Sequence, residues 1–286
     1  MKLLQYIWKT TILKVWNSKV ATFAMVILVT CWSYNQPMKT FIQSVDYPVS
    51  WCVFPFFMAA FGFLIIFWFG IIYVNSDAPF MQHENMYQML RVGRRRWAAG
   101  QIGGIFVRSF LLVIFTAIAT ILPLLPHIEM TSQWGKLLRT VAMTNVMEAY
   151  DFKYMIYYEI FNQFTPLQLM AVTILVCTLI CTFLGILMFF LSIYVNKVCS
   201  IAGASALAIL MFLVVNVNPA KRHLAACLVP TIWVEIAKMA TTEVGMLWMP
   251  SIPYMLCFLL AGIGIMSILI LWKSKTMEFH WEKEDI

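Results

Sequence analysis

Apolar residues fill long blocks of the chain, and polar residues gather in the stretches between them. The blocks cover residues 20–34, 51–74, 102–125, 167–194, 198–217 and 253–272. All but the short first block reach the ~20 residues that a helix rising about 1.5 Å per residue needs to cross ~30 Å of hydrocarbon. The pattern therefore predicts six transmembrane helices and an all-α fold in a single transmembrane domain spanning residues 1–286. Pro55 lies near the outer end of the second block, where a missing N–H does least harm. Asn75, Ser76 and Asp77 end that block with helix-stop residues. Pro123 and Pro126 close the third block. Arg108 falls within its first two turns, and its long side chain is expected to reach the interface.

The polar stretches are informative in their own right. Residues 35–50 contain Pro37, Asp46 and Pro48 and read as a loop. Residues 127–166 mix both charge signs with many aromatics, among them Tyr154, Tyr157 and Tyr158, which suits short helices lying at the outer interface. Val195, Asn196 and Lys197 form a tight turn. Within 218–252, the piece LVPTIWVEIAKM at 228–239 holds Pro230, Glu235 and Lys238. It is too short to cross and is expected to dip into the outer leaflet or lie on it. Residues 1–18 place Leu3, Leu4, Ile7, Trp8, Ile12, Val15 and Trp16 on one helical side, with Lys2, Gln5, Lys9 and Asn17 largely opposite. This predicts an amphipathic helix in the headgroup plane, with Trp8 and Trp16 at the boundary.

Composition agrees with a lipid environment. Hydrophobic residues make up 62% of the chain and charged residues 12%, against roughly a quarter charged in soluble domains. The net charge of +7 lies between the blocks, where positive charge resists translocation and meets anionic headgroups. Nucleic acid is not an expected partner, because a basic stripe is missing. The positive-inside rule puts 76–100, with Arg91, Arg94, Arg95 and Arg96, in the cytoplasm together with both termini, and 127–166 and 218–252 outside. The chain is thus expected to be a multi-pass protein of the cell membrane, with no cleavable signal peptide before its first span.

Candidate chemistry is sparse. The seven cysteines show no zinc spacing; Cys177 and Cys181 share a helix face and read as packing. His83, His127, His223 and His280 are far apart, and no HExxH, GxSxG, DxD or phosphate-loop pattern occurs. No catalytic residue, metal site or cofactor is expected in the chain, and it is not expected to hydrolyse ATP itself.

The stretch that stands out is PFMQHENMYQMLRVGRRRWAAG, residues 79–100. Glu84 to Arg91 lack Gly and Pro and predict about two helical turns that expose Met86, Tyr87, Met89 and Leu90 beside Glu84 and Arg91. Gly93 interrupts, and Arg94, Arg95, Arg96 and Trp97 lead along the membrane interface into the next block. Such a helix suits insertion into a partner's groove; an ordinary positive-inside loop is the alternative. The run Glu84, Tyr87 to Leu90, Gly93, Arg96, Trp97 and Gly100 resembles the first cytoplasmic loop of ABC-2 type transporter permeases. Gly-Thr after the acidic residue is absent, and Gln101 stands where Lys is common in the family.

The resemblance implies the transmembrane permease subunit of an ATP-binding-cassette exporter. Its coupling helix would rest in a cleft of a cytoplasmic ATPase dimer that binds ATP and Mg, and a second permease copy or paralogue would complete the pore. An amphipathic or hydrophobic cargo such as a peptide, lipid or drug is the expected substrate. An integral membrane enzyme acting on lipid or peptide, or an ion-coupled transporter, are the other readings.

Overall fold

The computed structural model describes residues 5, 17–78, 89–243, 246–247 and 249–276. It is mostly helical (77%), as apolar blocks require when each backbone N–H and C=O must be satisfied within its own segment. The principal helices among the described residues are α1 (Ser18–Val45), α2 (Phe61–Asn75), α3 (Arg94–Ile121), α4 (Pro166–Tyr194), α5 (Lys197–Asn216) and α6 (Ile252–Lys273). Four of them, α3 with its closing turn through Leu124, α4, α5 and α6, are long and apolar enough to cross a membrane. The interfacial helix expected at 1–18 lies outside the described residues, apart from Gln5, Asn17 and Ser18.

The bounds of α4, α5 and α6 fall within one residue of the apolar blocks. Local chemistry fixes the starts of two of them. Thr165 and Gln168 form a reciprocal capping box ahead of Pro166, satisfying two orphan donors at once. Asn196 accepts the Cys199 N–H at 2.7 Å and starts α5 directly after α4. Helix α4 is the centre of the bundle: 67% of its apolar window is buried, against 28% for α5 and 17% for α6, whose other faces point outward.

At Gly185 of α4 the neighbouring helix comes very close, since an added Cβ would sit 2.6 Å from Ile105 Cγ2 and 3.4 Å from Asn75 Oδ1. Gly185→Ala is expected to destabilise the fold by about 1–2 kcal/mol, overpacking outweighing the ~1 kcal/mol gain in helix propensity. Thermal unfolding in detergent measures this, and the costs of Gly185→Ala and Ile105→Ala should be less than additive when the two are combined in the same chain.

The structure departs from the sequence reading at several places. Residues 35–45 are helix, not loop: α1 runs through Pro37 to Val45. The proline removes one hydrogen bond, but Met38, Phe41 and Ile42 are buried just beyond it, and the Asn35 amide donates to the Thr120 carbonyl at 2.9 Å. The second block is not one helix. A short helix at Phe54–Met58 is followed by an extended Ala60 and then by α2. The fully buried rings of Phe56 and Phe57 turn away to meet Trp134 and Tyr154, with centroids 6.0 and 4.6 Å apart. Left with 15 residues, α2 is about 22 Å long, short of the ~30 Å hydrocarbon core.

Helix α3 starts at Arg94 and not at Ile102, because nothing after Gly93 breaks it. Most of the piece at 228–239, residues 229–237, is buried within the protein, while Leu228 stays exposed. The piece makes turns at Pro230–Ile232 and Ile236–Lys238, with Ile232, Trp233, Val234 and Ile236 fully buried. Trp68 of α2 donates to the Thr231 carbonyl at 3.1 Å, and the Thr231 hydroxyl donates to the Leu207 carbonyl at 2.8 Å. A helix side chain thereby satisfies one carbonyl of this non-helical segment, and the segment's own Thr231 side chain ties it to α5.

Residues 127–166 fold over the end of the bundle opposite Arg94. A short helix at Lys136–Met143 and another at Val146–Ala149 pack there, beside a parallel pairing of Val49–Ser50 with Ile128–Glu129. Trp134 anchors this cap, stacking on Phe161 at 4.6 Å and donating to the Phe164 carbonyl at 2.8 Å.

Candidate functional site

The residues singled out in sequence fall at the end of the bundle where α3 begins. Glu84, Met86 and Tyr87 lie outside the described residues, as do Trp8 and Trp16. Residues 89–92 are helical. Gly93 adopts φ +87° and ψ 147°, with open space where a Cβ would stand, a conformation that favours glycine. Its N–H donates back to the Met89 carbonyl at 2.8 Å, and its own carbonyl accepts from the Trp97 N–H at 3.0 Å. Gly93 thus closes one helical turn and opens α3 in a new direction.

The side chains divide differently from expectation. Leu90 is 70% exposed, as an apolar knob requires, but Met89 is buried. Arg91, Arg94, Arg95 and Arg96 are exposed, and Arg94 Nη1 donates to the Lys275 carbonyl at 3.4 Å. Trp97 is not an interfacial ring. It is fully buried and meets Phe189 of α4 edge-on, with centroids 6.1 Å apart.

A polar cluster sits deeper, where the end of α2, the start of α1 and the middle of α3 meet. Lys19 forms an ion pair with Asp77 and donates to Ser76 Oγ at 2.7 Å. Arg108 is buried within the bundle and not exposed at its end, and it donates to Asn75 Oδ1. Its position follows from the early start of α3, which puts Arg108 fourteen residues, about 21 Å, beyond Arg94. Asn75 donates in turn to the Ile71 carbonyl at 3.0 Å. Both cations approach the C-terminal end of α2, where the helix dipole favours positive charge. The signal in sequence was Arg108 within an apolar block, read there as an interfacial residue.

The opposite half of the molecule holds a second buried charge. Glu235 Oε2 lies 2.8 Å from Lys238 Nζ, with 1% and 18% of their side chains exposed. Burial, then the charges of Glu235 and Glu159, push the Tyr157 phenol above its usual range, so it remains a donor through neutral pH. No group of three His, Cys, Asp or Glu suited to a metal ion occurs among the described residues.

Fold and site together define a helical protein of membrane character, with four helices able to cross a bilayer. No protein-family model matches the chain, and no curated protein or solved structure does either.

Proposed function

We propose that the chain is the transmembrane permease subunit of an ATP-driven exporter of the ABC-2 type. It would move an amphipathic or hydrophobic cargo outward across the cell membrane as a pair with a second permease copy. ATP and Mg would be bound by a separate cytoplasmic ATPase dimer. One observation carries the reading: the helical turn at 89–92, with Leu90 exposed, is joined through Gly93 to the 28-residue helix α3. A push on Leu90 and Arg91 reaches a stiff lever whose first turn is locked to α4 by Trp97 and Phe189. Motion at the surface would thereby pass from α3 into α4, moving the two long helices together against the rest of the bundle.

Leu90→Asp is expected to abolish copurification with the cognate ATPase, or to uncouple transport from hydrolysis. Unfolding of the chain alone should stay within about 0.5 kcal/mol of the parent, since exposed substitutions cost little. Pull-down and transport in proteoliposomes measure the first effect. Full ATPase association together with unchanged coupled transport would count against the coupling role.

A second reading is favoured by Arg108 and by the Glu235–Lys238 pair, because buried charges among apolar helices commonly mark ion pathways. On that reading the protein is an ion-coupled transporter, and proteoliposomes lacking any ATPase would show cargo uptake driven by an ion gradient.

A further inference from the structure

Where the first turn of α3 passes the last turns of α6, two depressions adjoin. One, of about 330 Å³, is lined by Val92, Gly93, Arg94, Arg95, Arg96 and Lys275. The other, of about 480 Å³, is lined by Arg95, Arg96, Ala99, Ile268, Leu271 and Trp272. Arg95 and Arg96 belong to both, so a basic bowl opens directly into an apolar groove.

We propose that this composite site binds one anionic phospholipid, with its phosphate in the bowl and an acyl chain in the groove. Charge complementarity selects the head: no carboxylate lines either depression among the described residues, and guanidinium groups hold phosphate oxygens by paired charge-assisted hydrogen bonds. The groove selects the tail. Ala99 is the small residue that opens it, Ile268 and Leu271 stand one turn apart along its wall, and Trp272 is 66% exposed at its edge. An exposed tryptophan at the end of an apolar helix is suited to the headgroup level. An acidic soluble partner would use the bowl but leave the groove uncovered, whereas a phospholipid fills both. Basic pockets between membrane helices are where such headgroups are held. The site does not depend on the ATPase reading.

Purified full-length chain in detergent micelles, titrated with spin-labelled phosphatidylglycerol or phosphatidylcholine, tests the site. Phosphatidylglycerol should bind in preference. Replacing both arginines (R95Q with R96Q) should weaken it roughly thirtyfold, about fivefold for each charge, and leave phosphatidylcholine unchanged. Both arginines are exposed, so the fold should tolerate the change. Ala99→Phe, which fills the groove and keeps the charges, should also weaken phosphatidylglycerol.

Equal binding of the two lipids, or undiminished selectivity in the double variant, overturns the proposal. So does equal competition by inorganic phosphate, which would make the bowl an ion site alone. Binding that emerges only when residues 277–286 are removed, a stretch holding Glu278, Glu282, Glu284 and Asp285, would show the chain's own acidic tail to be the occupant.

Discussion

Trp97→Ala is expected to lower the stability of the folded chain by about 3–5 kcal/mol, the cost of emptying a fully buried tryptophan site. The indole fills the junction between the first turn of α3 and Phe189 of α4, and truncation leaves both helices facing a void. Trp97→Phe keeps an aromatic ring there and should recover more than half of the loss. Denaturant or thermal unfolding in micelles measures both, and parent-like stability of the alanine variant would refute the packing role. Coupling should fail as well, since the lever would no longer bear on α4. Leu90→Asp separates the two effects, because it changes the contact surface and leaves the junction intact.

Asn75→Ala is expected to destabilise the chain by about 1.5–3 kcal/mol, because Arg108 loses a charge-assisted hydrogen bond in a buried setting. Arg108→Leu made in the Asn75→Ala background should cost much less than Arg108→Leu made in the parent, since the interaction is already gone. The cycle should yield a coupling energy of at least ~1 kcal/mol. Strictly additive costs would mean that the amide and the guanidinium do not support each other.

Helices α4, α5 and α6 are legible in sequence because their apolar runs are unbroken, and for α4 and α5 local caps, Thr165 with Gln168 and Asn196, start the helix whatever surrounds it. The errors arose where tertiary partners decide. Pro37 reads as a loop residue until Asn35 finds the Thr120 carbonyl and Met38, Phe41 and Ile42 find a core. The break at Ala60 is invisible in an apolar run, because hydrophobicity does not say whether Phe56 and Phe57 face lipid or the cap. Arg108 was misplaced by one wrong boundary: starting α3 at Ile102 put it near an end, and starting it at Arg94 puts it in the middle. Within 79–100 the exposure of Leu90 and the turn at Gly93 were readable from side-chain chemistry and the lack of a Cβ. The burial of Met89 and Trp97 depended on what lies across from them.

The short helix α2 has an electrical consequence. Its last residue, Asn75, lies beside Gly185, nine residues or about 13 Å short of the end of α4 at Tyr194. Next to it, Lys19 and Asp77 keep about a quarter of their side chains exposed, and such groups do not face hydrocarbon. In a bilayer spanned as the proposed permease requires, polar medium would reach inward along this side of the bundle, and the transmembrane voltage would fall across a thinner insulating layer there. Arg108 would stand at its edge, where a small displacement of charge couples most strongly to membrane potential.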